Sequence, residues 1–332
     1  MELGRRIAQA LEGATFDRVA GISLANAQAN RPRIGPSILA LGDQPLGEGD
    51  AAIVVGAGPS LRRRQSLERI RDAKFRGTVV STDGALGACL RAGVVPHVVV
   101  TVDPHADRIV RWFGDPTLAA PSPDDYFRRQ EMDPTHAEDE VAANRALLEL
   151  VNRHGPTMRV AVATSAAPAV VERCEQAGMA AYWWNPMLDD PDAPGSISRQ
   201  LHRENKLPSL NGGGNVGTAA WVIAHAVLGR KHVALIGMDF GYPPGTPYGK
   251  TQYYPELVAL LGERWQEAYT HVKNPYSGEE WFCDPAYLWF RDVILEMAGD
   301  ADCETVNCTE GGILFGERIP MVSLDRFLAA AA

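Results

Sequence analysis

The chain has 332 residues, enough for one large domain or two ordinary ones at roughly 100–200 residues each. With 45% hydrophobic and 22% charged residues its composition is that of a globular protein, which excludes a disordered, fibrous or coiled-coil chain as a whole. Against 41 acidic residues stand 32 basic ones, a formal charge of -9; no long nucleic acid is therefore an expected partner, and any bound phosphate must sit in a local pocket.

The first expected element is an amphipathic helix over Glu2 to Leu11, too charged for the apolar core of a signal peptide. No segment approaches about 18 uninterrupted apolar residues, so no membrane span is expected. The five cysteines (Cys89, Cys174, Cys283, Cys303 and Cys308) are scattered and contain no CxxC pair. Reduced thiols in a cytoplasmic protein are the expectation, not a disulfide framework or a zinc site.

A loop-rich lead-in follows, with Asn26, Asn30, Pro32 and Pro36. Ala51 to Val55 is then a continuous apolar run, the mark of a strand buried on both faces. Gly56 to Ser60 breaks it, and Leu61 to Ala73 reads as one helix. Thr78 to Thr82 is a β-branched strand, followed by Asp83-Gly84 and a helix from about Ala85 to Arg91; Val98 to Val102 is the third strand. The stretch from about His105 to Pro156 is rich in Gly-Asp-Pro and Asp-Pro turns and reads as an insertion or lid, with a surface helix over Glu138 to Arg153.

Alternation resumes with a strand at Arg159 to Thr164, a helix at Pro168 to Ala177 and a strand at Ala180 to Trp184. A polar loop, the segment Gly212-Gly213-Gly214-Asn215, a helix over Val216 to Leu228 and a strand at His232 to Ile236 follow. Gly241 to Phe282 is a second insertion, rich in Pro, Gly, Tyr and Trp. The chain closes with a helix near Pro285 to Ala298, a short strand near Glu304 to Cys308 and a last helix capped by Ser323. Strands separated by helices imply right-handed crossovers, so the expected fold is α/β, a doubly wound, mostly parallel, Rossmann-like sheet with two insertions. The expected organisation is a lead-in over 1–50, an α/β core over 51–240 interrupted at about 105–156, and 241–332 completing the core.

In such sheets ligands bind beyond the carboxyl ends of the strands. Three expected strands end in an aspartate: Asp83, Asp103 and Asp239. Aspartate at such a place commonly caps the next helix or turn. Three at one edge instead suggest a polar site that holds magnesium or accepts hydrogen bonds from sugar hydroxyls. His105, in the loop after Asp103, is an acid–base candidate.

The turn Gly56-Ala57-Gly58-Pro59-Ser60 is expected to approach a ligand closely and to direct free helix N–H groups at a phosphate. Arg62, Arg63 and Arg64 would compensate that phosphate; the plainer reading is a solvated basic patch. The spacing is not GxGxxG, so the usual NAD fingerprint is absent. Gly214, Asn215, Gly217 and Thr218 form a second candidate rim. Trp183, Trp184, His225 and His232 read as structural.

The segments Ala52 to Leu61, Ser81 to Pro104 and Gly212 to Phe240 together resemble the family named after the archaeal 6-hydroxymethylpterin diphosphokinase (MptE-like). That family also contains the bacterial motility accessory factors (Maf), glycosyltransferases that modify flagellin. Asn26, Asn30 and the Asn307 to Gly312 stretch resemble the bacterial branch. The resemblance implies a nucleotide-dependent transferase that is compact beside full motility accessory factors.

Two activities follow from it. A diphosphokinase would transfer diphosphate from ATP to a hydroxymethyldihydropterin with magnesium on Asp83, Asp103 and Asp239. Its branch carries a TDLDG-like end to the third strand, whereas this sequence reads Thr101-Val102-Asp103-Pro104-His105 and lacks one carboxylate. The favoured reading is a glycosyltransferase using a CMP-activated nonulosonic (sialic-acid-like) sugar, with no cofactor required. There Gly56, Gly58, Pro59, Ser60 and Arg62 would bind the nucleotide, Asp83 and Asp103 would position hydroxyls, Asn215 to Thr218 would line the opposite rim, and Asp239 or His105 would be the base. A third alternative is a nucleotide-binding module without turnover. The acceptor stays open between protein, glycan and pterin. The aromatic insertion Tyr242 to Trp281 either shapes an acceptor site or forms a subunit contact compatible with a homodimer.

Overall fold

The computed structural model describes residues 20–105, 109–121 and 139–331. The expected helix over Glu2 to Leu11 lies outside these residues, as do 106–108 and 122–138 of the expected first insertion. The main sheet contains eight strands. They are β1 (Ala51–Val55), β2 (Thr78–Thr82), β3 (Val98–Thr101), β4 (Arg159–Ala163), β5 (Ala180–Pro186), β6 (Ser209–Leu210), β7 (His232–Ile236) and β10 (Glu304–Asn307). Their spatial order is β10-β7-β1-β2-β3-β4-β5-β6, and every neighbouring pair is parallel. The sheet is the doubly wound α/β arrangement expected from the sequence.

Side chains alternate across the sheet as strand geometry requires. Ala52 and Val54 pack with Val80, Val98 and Trp221 on one face, while Ile53 and Val55 pack with Leu61, Val79 and Ile70 on the other. Both faces are covered, which explains why the strand sequences are continuously apolar; burial of each such valine or isoleucine contributes about 1.5–3 kcal/mol. Trp183 and Trp184, adjacent on β5, go to opposite faces and are both enclosed, so they are packing residues.

Three local departures from expectation have physical causes. Residues 20–30 are helical, not loop. Asn26 and Asn30 sit four apart on one side of that helix: Asn26 donates to the carbonyls of Pro104 and Ser165 (both 2.9 Å), and Asn30 to those of Thr164 and Ala166 (3.0 and 2.7 Å). These amides clamp the helix to the ends of β3 and β4. The expected helix Leu61 to Ala73 is two helices, Ser60–Arg63 and Ser66–Asp72, separated by Gln65 in the left-handed region (φ 50). The break turns Arg64 Nε to the Glu310 carbonyl (2.8 Å) while Arg69 chelates the Glu310 carboxylate at 2.8 and 3.0 Å.

The second insertion contains an unexpected antiparallel pair, β8 (Thr270–Lys273) and β9 (Glu280–Cys283). The expected helix over Glu138 to Arg153 is found as Glu140–His154, with Asp139 as its cap, and the expected Ser323 cap of the last helix stands at Leu324–Ala330. Among the described residues no helix is long and apolar enough to cross a membrane.

Candidate functional site

The chain runs from β1 outwards through β2 to β6 and then returns to place β7 on the other side of β1. The strand order therefore reverses at β1, and the crevice beyond the ends of β1 and β7 is the place where such sheets bind ligands. The Gly56 to Ser60 turn leaves β1 there, and Gly237-Met238-Asp239 leaves β7 beside it. Asp239 reaches across to the turn: its Oδ2 accepts the Ser60 amide (3.1 Å), and its Oδ1 accepts a short hydrogen bond from the Ser60 hydroxyl. Gly58 is required by this contact, because a Cβ there would overlap Asp239 Oδ2 and stand 2.6 Å from the Gly237 carbonyl oxygen.

Most of the turn's amides are consequently engaged within the protein, and of the expected cradle only the Ala57 N–H has no internal acceptor among the described residues. The amide of Gly56 donates to Ile236 O and that of Gly58 to Gly237 O (both 2.8 Å), and the amide of Leu61 donates to Gly58 O (3.1 Å). Pro59 has no N–H, and Ser60 is bound to Asp239. The sequence pattern did reveal a helix start needing an anion, but the protein supplies its own carboxylate.

The far side of this contact is closed by the chain after β10. A Cβ on Gly312 (φ +70) would come within 2.5 Å of Asp239 Cα, and the Ile313 amide donates to the Asp239 carbonyl at 2.8 Å. Asp239 is 2% exposed, and burial pushes its carboxyl up to about 7 against the lowering effect of the Ser60 bonds and of Arg63 and Arg64. The three arginines are not one patch. Arg63 and Arg64 pair with Glu279 of the second insertion (2.9 and 3.3 Å), and Arg63 also stands over the Trp281 ring at 5.8 Å.

Arg62 instead lines a cleft of about 250 Å³ on the β2 side of the turn. Its walls include Gly58 and Pro59 from the turn, Gly84 and Arg91 from the Asp83–Arg91 helix after β2, and Trp112. Gly84 approaches Ala57 so closely that a Cβ would lie 3.3 Å from Ala57 Cβ.

Next to Gly84, Asp83 is buried at the end of β2. It accepts the Gly84 amide at 2.7 Å and the Thr101 hydroxyl at 2.8 Å. Burial raises its pKa to about 7, and the neighbouring Asp103 charge adds to the rise. Asp103, at the end of β3, is more open; its Oδ1 accepts the His105 amide (2.8 Å) and lies 2.9 Å from His105 Nδ1. The structure thus brings Asp83, Asp103 and His105 into one neighbourhood, with only Gly84, next to Asp83, in the cleft wall, while Asp239 is engaged with Ser60. Among the described residues no three of His, Cys, Asp and Glu gather as a metal-binding group.

The second glycine loop has mainly local duties. Asn215 caps the Val216–Val222 helix through the Thr218 amide (2.9 Å) and also donates to the Thr218 hydroxyl (2.9 Å). Gly214 (φ +77) has no room for a Cβ, which would lie 2.5 Å from Trp289 Cζ3, and Gly217 packs on the Met238 side chain. No described contact joins Gly214 to Thr218 with Asp83, Asp103 or His105. Sequence reasoning missed Thr101, Trp112 and Arg91. Arg91 carried a readable signal, being seven positions beyond Gly84 on the same helix face.

The model of the family described as 6-hydroxymethylpterin diphosphokinase MptE-like matches residues 24–113. Over this stretch the chain is similar to that family. The matched stretch contains Asn26 and Asn30, β1 to β3, the Gly56 to Ser60 turn, every named cleft wall, and Asp83, Asp103 and His105; Asp239 and the Asn215 loop lie beyond it. No curated protein matches the chain. Among solved structures the fold is similar to that of the "MAf glycosyltransferase from Magnetospirillum magneticum AMB-1", with a TM-score of 0.52 at 17% identity. The similarity covers 87% of this chain and 37% of that one, so the chain spans little more than a third of that protein's length.

Proposed function

We propose that this chain is a nucleotide-dependent transferase, and specifically a glycosyltransferase that uses a CMP-activated nonulosonic sugar. The observation that carries the reading is the cleft beside the β1 turn, at the strand-order reversal, together with the Asp103–His105 pair beyond the end of β3. The fold similarity to a Maf glycosyltransferase supports the choice of reaction.

In the reaction, an acceptor hydroxyl attacks the anomeric carbon of the donor sugar. The bond from that carbon to the CMP phosphate oxygen breaks, and CMP leaves with the electron pair. His105 is the base for the acceptor proton: with Nδ1–H donated to Asp103, its Nε2 carries the free lone pair. Asp103 orients the ring and stabilises the imidazolium that forms. Asp239 is a poor base here because both its oxygens are bonded to Ser60. Burial raises the Asp83 carboxyl to about 7 and it accepts only internal donors, so its part is to hold the start of the helix after β2.

The description of the matching family supports a second reading, diphosphate transfer from magnesium–ATP to a hydroxymethyldihydropterin. The residues fit it less well. Asp239 is occupied by Ser60, Asp83 is buried between Gly84 and Thr101, and no third ligand joins Asp103 among the described residues.

Ligand-dependent melting with CMP, CMP-sialic acid, ATP and ATP plus magnesium separates the readings. Stabilisation by the cytidine ligands, with release of CMP from the activated sugar, is expected. Stabilisation by magnesium–ATP alone, with AMP formed in the presence of hydroxymethyldihydropterin, overturns the glycosyltransferase reading.

A further inference from the structure

The amides of Gly56, Gly58 and Ser60 are used inside the protein and Pro59 has none, so of the turn only the Ala57 N–H is left for the cleft, and the charge of a ligand anion there must be met by side chains. Two arginines line that cleft from opposite sources. Arg62 comes from the helix after β1 and is exposed, and among the described residues it makes no side-chain hydrogen bond or ion pair, unlike Arg63 and Arg64. Arg91 comes from the last turn of the helix after β2. Gly87, one turn before it, leaves the space Arg91 uses: a Cβ there would stand 3.1 Å from Arg91 Nη1 and 3.4 Å from Leu147 Cδ1. The guanidinium thus folds back along its own helix towards the cleft. Glu68 is the one carboxylate in the lining, and it forms no ion pair among the described residues.

We propose that Arg62 and Arg91 are the anion-binding pair of this cleft, and that they hold the phosphate oxygens of a phosphate monoester or diphosphate through their N–H groups. The inference rests on the cleft being the ligand site, but it names a recognition that neither the glycine turn nor the aspartates provide. A guanidinium offers a planar, bidentate fork matched to phosphate, whereas lysine offers only a point charge. In a protein of net charge -9, two arginines at one cleft concentrate attraction where a small anion can reach it.

The test uses inorganic pyrophosphate as the probe, with CMP in parallel, and reads thermal shift and titrated affinity in the full chain. Pyrophosphate is expected to raise the melting temperature of the wild type. Arg62→Ala and Arg91→Gln should each weaken its affinity about tenfold or more, as loss of a charge-assisted contact does, and Arg62→Lys should recover only part of the loss. Arg63→Ala, which removes a neighbouring charge outside the cleft, should leave the affinity within about twofold. No pyrophosphate effect on the wild type, or equal binding by wild type, Arg62→Ala and Arg91→Gln, overturns the proposal. CMP binding that ignores both arginines leaves the transferase reading standing and removes this one. Pyrophosphate binding that needs both arginines, with no response to CMP, CMP-sialic acid or ATP, does the reverse.

Discussion

Ser60 and Asp239 are 179 residues apart in sequence, yet the amide and the hydroxyl of the serine both donate to the aspartate carboxylate. The pair joins the ends of β1 and β7 at the strand-order reversal. It also fixes which side of the Gly56 to Ser60 turn is solid protein and which side opens into the cleft.

Removing that carboxylate leaves two buried donors without an acceptor. Asp239→Ala is expected to cost about 3 kcal/mol of folding stability, and Asp239→Asn less, because the amide oxygen still accepts one of the donors. Urea denaturation measures both. A loss under about 0.5 kcal/mol for Asp239→Ala would show that the contact does not hold the turn.

Asp83 gives a prediction with an unusual sign. Burial lifts its carboxyl to about 7, above its value in the unfolded chain. Below about pH 4 both states carry the proton; between about 4 and 7 the unfolded chain has lost it and the native state has not. Asp83 therefore favours the folded state at low pH, and its contribution falls as pH rises through that window. Asp83→Asn should flatten the decline, so that its stability relative to wild type improves from pH 5 to pH 8. On the order of 1 kcal/mol or more is expected, since one pKa unit is worth about 1.4 kcal/mol. A stability difference that stays constant over this range would contradict the buried, raised carboxyl.

The Asp103–His105 pair makes a kinetic prediction. If His105 takes the acceptor proton, His105→Ala should lower kcat by about 10²–10⁴ with little change in donor KM. Asp103→Asn keeps the shape but loses the charge that supports the imidazolium, so it should lower kcat and displace the pH profile of kcat. A KM-only effect in both variants would make them binding residues.

Much of the sheet was legible because its physics is local. Buried parallel strands need continuous apolar, β-branched runs, and Ala51–Val55, Thr78–Thr82 and His232–Ile236 match the sequence expectation residue for residue. β6 was hidden because Ser209–Leu210 is a two-residue strand in a polar loop. The candidate site was legible only in part. The aspartates at the strand ends carried their own signal, but nothing near Ser60 in sequence announces that its anion is Asp239. Likewise Gln65 breaks a sound helical pattern so that Arg64 and Arg69 can both reach Glu310, a contact set by tertiary structure. Asn26 and Asn30 read as loop residues because their partners, at the ends of β3 and β4, are more than 70 residues away.

Two glycines on either side of the cleft separate folding from binding. At Gly58 a Cβ would meet the Gly237 carbonyl and a carboxylate held by Ser60, neither free to withdraw. Gly58→Ala should therefore destabilise by about 1–3 kcal/mol, the usual cost of overpacking a rigid site. At Gly84 the nearest atom would be Ala57 Cβ at 3.3 Å, followed by the Trp112 ring at 3.9 Å, and the residue lies within a helix. There alanine regains up to about 1 kcal/mol of helix propensity, so stability should be unchanged or slightly higher. The added methyl, however, stands in the cleft wall between the turn and Trp112, and CMP affinity should fall severalfold in Gly84→Ala despite normal melting. Unchanged CMP affinity in a stable Gly84→Ala protein would move the nucleotide out of this cleft.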